Sequence, residues 1–222
     1  LQGHEYEEDS KDSEPDRDSQ RYSLSRLVAR LKDDDYDCRP LNLARTNSVP
    51  EDCEVLVVAG PRTPLPAEQL LTIEHYLQQR NGRAIFMADS HLQDTKEDGS
   101  NLNEILTRYG VRAHTEALGM RKAKELALGS GGLVSRERTI PQVPVAGDGY
   151  MRHEINTDLR NYTMIFITSA PLEIIRGRPR PGLAARELLE GTPGSWGETT
   201  RGEPVKEATY DPGEDLPPPV TM

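Results

Sequence analysis

Long apolar runs, cysteine, tryptophan and surplus positive charge are all scarce in this chain of 222 residues. No apolar run approaches the roughly 18–20 residues of a membrane span, and no signal-peptide pattern opens the sequence. Only two cysteines are present, Cys38 and Cys53. They are read as two buried thiols or as a single disulfide, and no CxxC or Cys/His spacing suggests zinc. Hydrophobic residues make up 35% of the chain and mean hydropathy is -0.69, so the core is modest and much of the rest is solvated surface and long loops. The net charge of -10 argues against nucleic acid and anionic membranes as partners of the chain as a whole, since both need a basic face.

The acid is unevenly spread. Glu5, Glu7, Glu8, Asp9, Asp12, Glu14, Asp16 and Asp18 face only Lys11 and Arg17 in the first twenty residues or so. Residues 5–18 are therefore expected to be an acidic flexible loop, with a cation or basic-partner site as the other reading.

From Ser23 onward the pattern becomes regular. Leu24, Leu27, Val28 and Leu31 follow helical spacing, with Asp18 or Ser19 as the cap and Asp33 to Asp35 as the stop. Residues 36–43 read as an edge strand because of Pro40. Val55 to Ala59 is a continuous apolar run, the pattern of a strand buried on both faces. Pro66 suits a first helical position, with Ala67, Leu70, Leu71, Ile73 and Leu77 facing inward as far as Arg80, and Asn81-Gly82 closing the helix. Ala84 to Ala88 reads as the next buried strand. Asn101 with Glu104 reads as a capping box for a short helix, Gly110 ends it, and Val111 to Thr115 is a further strand.

This alternation predicts an α/β fold with a doubly wound, mostly parallel sheet covered on both faces. Residues 116–150, rich in Gly and Pro, read as long loops with at most a hairpin. Asn161 to Thr168 restores one buried strand, and Arg186 to Leu189 supplies a short last one. Beyond Gly191 the Gly/Pro density predicts irregular structure. The expected organisation is a sheet domain over 1–170 and a C-terminal extension over 171–222 packing on it.

In such a sheet, sites form at the carboxyl ends of strands. Gly60-Pro61 lies at one. A phosphate loop needs free backbone N–H groups, yet Pro61, Pro64 and Pro66 remove three donors, and no Lys-Ser/Thr follows. No nucleophile elbow is present either. The loop reads as a stiff connector better suited to a protein surface than to a nucleotide.

Several short motifs, in order, resemble the gliding-motility-type (GldG-like) auxiliary components of ABC transporters. Gly3-His4 stands where that family often has Gly-His-Gly-Glu. Val57-Val58-Ala59-Gly60-Pro61 follows, with Glu68 in the next helix, then Gly82-Arg83 and Tyr109-Gly110-Val111. His153-Glu154-Ile155-Asn156 corresponds to His-Pro-Ile-Thr, and Ser195-Trp196-Gly197-Glu198 to Ser-Trp-x-Glu. Asp215 to Val220 corresponds to an Asp-x-x-Gly-Pro ending. Glu5, Glu154 and Pro217 depart from the pattern. The resemblance implies a flavodoxin-like or class I amidotransferase-like sheet without amidotransferase chemistry, and no cofactor. It also implies membrane helices flanking this segment and a place on the extracytoplasmic face of the inner membrane. Transporter membrane and ATPase subunits, or related envelope proteins, are the implied partners.

The rival reading is a ligand site or a hydrolytic centre. Parallel packing would bring His4, Asp89, Ser90 and His91 to the same edge as Gly60 and Pro61, where His4, Asp89 and His91 could share a cation or a sugar. A triad of Ser90, His153 and Asp89 is rejected, because no elbow positions the serine and adjacent Asp89-Ser90 side chains diverge in an extended chain. His153 reads as a turn residue and Trp196 as a packing anchor.

Overall fold

The computed structural model describes residues 24–61, 63–92, 100–129, 132–176, 182–200 and 207–222. The chain divides into two units, Leu1–Met87 and Ala88–Met222. The expectations for His4 and for the acidic loop 5–18 lie outside the described residues.

The first unit holds one β-α-β crossover. Helix α1 (Ser25–Asp33) and the single turn α2 (Leu43–Thr46) lead to strand β1 (Val55–Ala59), helix α3 (Ala67–Gln79) and strand β2 (Arg83–Met87). The strands pair in parallel with Val55 opposite Arg83 and Ala59 opposite Met87. Leu70, Ile73 and Tyr76 of α3 are buried, three residues apart as the helical period requires. Leu71, expected to face inward, is 62% exposed because it falls between those buried rows. Pro66 is the N-cap with extended ψ, so the helix begins one residue later than expected. Asn81, rather than Gly82, takes the left-handed conformation at its end. Gly82 is needed for space: a Cβ there would lie 2.5 Å from the Tyr76 ring.

Two further expectations for this unit differ from the structure. Residues 36–43 form no strand, and Leu43 starts α2 instead. Leu24 caps α1 without a side-chain bond, and its apolar stripe is only partly covered, with Leu27 38% exposed.

The second unit is mainly antiparallel. Its elements are α4 (Asn103–Leu106), β3 (Val111–Ala113), β4 (Leu118–Gly129), β5 (Gly132–Ile140), β6 (Gln142–Val145), β7 (Met164–Ile167), β8 (Leu172–Ile174) and β9 (Ser195–Glu198). β3 pairs with β8, β6 with β7, and β4 lies between β5 and β9. All of these ladders are antiparallel. Leu92, Leu118, Met120, Trp196 and Ala208 form a buried cluster with Tyr210 packed on it.

The doubly wound parallel sheet is thus overturned. Among the described residues one pair of strands is parallel, β1 with β2. A parallel return needs a crossover long enough to span the sheet. Helix α4 is a single turn, and β3 after it joins β8 instead of β2. The capping box is absent too: the Asn101 side chain bonds the Glu104 carboxylate at 3.2 Å, and Leu102 is the N-cap. Residues 116–150, expected as long loops with a hairpin as the other reading, contain the antiparallel pair β4–β5, the two longest strands described. Within 161–168 the strand is only Met164–Ile167, and Ile165 and Ile167 are exposed instead of buried. Arg186 to Leu189 contributes a single bridge, Leu189 to Tyr150. Beyond Gly191 lies β9, buried at all four positions.

Candidate functional site

At the carboxyl end of β1, Gly60 has φ 44 and its N–H donates to the Met87 carbonyl at 2.9 Å. That donor is used inside the sheet, and Pro61, Pro64 and Pro66 have none to offer. Behind the loop is a cavity of about 10 Å³, lined by Leu41, Leu43, Leu56, Val58, Pro61 and Ile73 among others. A space of that size holds one water at most, and its walls are mostly apolar. Ligand pockets are commonly of order 300 Å³ or more. Among the described residues, the space behind this strand end is closed by apolar packing.

Asp89, Ser90 and His91 belong to the second unit. Asp89 bridges Ser169, the Ser90 N–H donates to the Thr168 carbonyl at 3.0 Å, and the His91 N–H to that of Thr115 at 2.7 Å. Ser90 Oγ accepts from the Leu92 N–H at 3.2 Å, a serine turn. His91 is 6% exposed, and its Nε2 accepts from the Ser100 N–H at 3.3 Å. A ring nitrogen that accepts carries no proton, so this arrangement takes the Nδ1–H tautomer. His153 likewise uses Nδ1 to accept from the Ile155 N–H at 3.2 Å. The Ser90 and His153 side chains fasten local turns, and that of His91 holds the Ser100 N–H. Gly60 and Pro61 lie in the other unit, and His4 lies outside the described residues.

Three polar clusters went unseen in the sequence. His114, buried on β3's exit, has Nδ1 3.0 Å from Glu116 Oε1 and Nε2 3.0 Å from Glu173 Oε2. Arg112 Nη2 adds a 2.9 Å bond to Glu116. Partial burial pushes the Glu116 carboxyl up, but a backbone N–H, His114 and Arg112 together outweigh it and hold the group below its ordinary value. The arrangement clasps β3 to β8. His114 and Glu173 are 59 residues apart, so no local pattern could announce it.

The second cluster surrounds β9. Glu198 is buried, with its Oε2 accepting from Trp196 Nε1–H at 3.3 Å and its Oε1 from the Thr200 N–H at 2.9 Å. Asp215 is buried too and accepts from the N–H groups of Thr199 and Asp211 at 3.0 and 2.8 Å. Gly197 and Leu216 exchange backbone bonds of 3.1 and 2.9 Å. The Ser-Trp-Gly-Glu and Asp215 motifs therefore interlock: Trp196 supplies the apolar anchor and two satisfied carboxylates fix the strands around it. In the third cluster, buried Asn156 ties the Met151 and Leu188 carbonyls together at 2.9 and 2.7 Å.

Among the described residues, no group of three or more His, Cys, Asp or Glu is arranged to hold a metal, and no helix is long and apolar enough to cross a membrane. Residues 2–213 match the family described as "ABC-type uncharacterized transport system", its auxiliary component. The match spans nearly the whole chain, and the chain belongs to that family. No curated protein and no solved structure matches it.

Proposed function

We propose that this auxiliary component acts by binding, as a docking module that joins transporter subunits or related envelope proteins, and not by catalysis. The observation that carries this reading is the outer face of β7. Ile165 and Ile167 alternate outward and are 50% and 57% exposed, and Tyr162 just before them is 69% exposed. Their inward neighbours pair with β6, where Val143 and Val145 are buried. An apolar row held out from a well-packed ladder is the usual mark of a protein contact.

The order of motifs supports a gliding-motility-type member of the family. The membrane setting of a transport system supports placement on the extracytoplasmic face of the inner membrane, held by flanking segments. Co-expression of the protein with the ATPase and membrane subunits of an ABC-type transport system from its own source tests the reading. Co-purification that is lost in Ile165→Asp/Ile167→Asp is expected. Purification free of those subunits, or turnover of ester or glutamine substrates lost on Ser90→Ala, would overturn it.

A further inference from the structure

β7 is an edge strand. It pairs with β6, Gln142 opposite Ile167 and Val145 opposite Met164, and among the described residues no strand pairs with its other side. Pro144 of β6 shows which way the backbone groups of β7 turn. It sits opposite Ile165, has no N–H, and its carbonyl accepts from the Thr192 N–H at 2.9 Å, away from β7. Opposed residues of an antiparallel ladder exchange two bonds or none, in alternation. Pro144 and Ile165 exchange none, so the N–H and C=O of Ile165 point to the open edge, and those of Ile167 follow two residues on. The Ile167 carbonyl is already covered by the hydroxyls of Thr168 and Ser169, at 2.7 and 3.3 Å. Both groups of Ile165 and the N–H of Ile167 remain for a partner.

The same edge is uncharged. No Asp, Glu, Lys or Arg stands between Asn161 and Leu172, in a chain with 29% charged residues and a net charge of -10. Strands that must not pair at an edge are usually guarded by charge or proline, and β7 carries neither. Thr163, Ile165 and Ile167 are exposed at alternate positions, and all are β-branched, the type that packs well across strands. A basic or acidic segment would find no counter-charge here. An uncharged, extended, β-branched strand matches the edge, and β7 is itself such a strand.

We propose that two copies of the chain join edge to edge through β7, antiparallel about a twofold axis at Ile165. Ile165 of each copy then exchanges backbone bonds with Ile165 of the other, and each Ile167 N–H meets the Thr163 carbonyl of the facing strand. This register uses the groups left open and leaves the Ile167 carbonyl to its hydroxyls. The β6–β7 ladders of the two copies become one continuous sheet, through a like-with-like contact that closes on itself. The inference goes beyond the docking reading, since it concerns the edge of β7 and not its outer face. Ile165 and Ile167 of both copies still stand together on that face.

The 222-residue protein is followed by sedimentation velocity over a range of concentration, with amide exchange read at both ends of that range. A monomer–dimer equilibrium is expected, with the Ile165 and Ile167 amides protected only at the concentrated end. Ile165→Pro removes the outward N–H and spares the β6 ladder, because proline fits an edge strand where its missing N–H faced solvent. It should weaken the dimer by about tenfold or more, with an unchanged circular dichroism spectrum. Ile165→Lys sets like charges across the axis and should weaken the dimer most at low salt, whereas Ile165→Val should pair as the parent does. A monomer at every concentration, or a dimer that Ile165→Pro and Ile165→Lys leave as strong, would overturn the inference. So would protection of the two amides that arises only with the transporter subunits, which would give the edge to them. A monomer that still co-purifies with those subunits leaves the docking reading standing, and a dimer that does not co-purify removes that reading alone.

Discussion

The crossover of β1, α3 and β2 and the β4–β5 ribbon solve the same problem, how to join two strands, in opposite ways. In the first, five-residue apolar strands pair in parallel under a covering helix, whose Leu70, Ile73 and Tyr76 close one face. Tyr76 is held at its tip, where its hydroxyl donates to the Arg83 carbonyl at 3.2 Å, and Arg80 clamps the carbonyls of Val49, Pro50 and Glu51 at 2.7 to 3.0 Å. In the second, longer strands pair antiparallel, and charged side chains between Lys124 and Glu137 face water on both sides. The first closes one strand face under its helix while Val55, Ile85 and Met87 stay exposed; the second meets water on both sides between Lys124 and Glu137.

The second unit is most sensitive at its tryptophan anchor. Trp196→Ala should cost about 3–5 kcal/mol through the cavity left among Leu118, Met120 and Ala208. A lower urea midpoint, with amide exchange accelerated in β4 and β9 but not in β1 and β2, is the expected result; uniform acceleration would show that the two regions are not separately held. Next come the two close approaches. A Cβ at Gly82 would meet the Tyr76 ring at 2.5 Å, and one at Gly197 would meet Leu216 at 2.8 Å. Gly82→Ala and Gly197→Ala should each cost about 1–3 kcal/mol, each within its own region.

The smallest effect belongs to Glu116. Its folded pKa lies below its ordinary value of 4.5, so its contribution is complete above that value and is lost as pH falls through the folded one. The side chain is 44% exposed, which keeps the contribution small. Glu116→Gln should flatten the pH dependence of stability in that acidic window and leave neutral pH nearly unchanged. A variant that retained the slope would remove Glu116 from the clasp.

How far the sequence could be read follows from the same contrast. β1, α3 and β2 stand within about one residue of their expected places because apolar runs and a helical period mark them, although Val55 of β1 and Ile85 and Met87 of β2, expected to be buried, are exposed. The ribbon hid because it is wetted on both faces: Lys122-Ala123-Lys124-Glu125 shows no apolar alternation, and Gly129 to Gly132 looks like a loop. β9 hid for the opposite reason. Ser195 and Glu198 are polar yet buried, paid for by bonds to Thr192, Trp196 and Thr200 that no linear pattern displays. The strand-end group Asp89-Ser90-His91 was visible as polar residues after an apolar run. That its serine and histidine fasten turns depends on Leu92, Ser100 and Thr115, and His114 needs Glu173 from far along the chain. Short local runs also suggested parallel pairing throughout, whereas pairing partners were decided by residues much farther away.

Amide hydrogen exchange of the protein alone and with the transporter's membrane and ATPase subunits tests the docking role most directly. New protection is expected over Tyr162 to Ile167, with β1 and β2 unchanged. Protection confined to Gly60-Pro61 or to Asp89-Ser90-His91, or no change on adding the subunits, would contradict it.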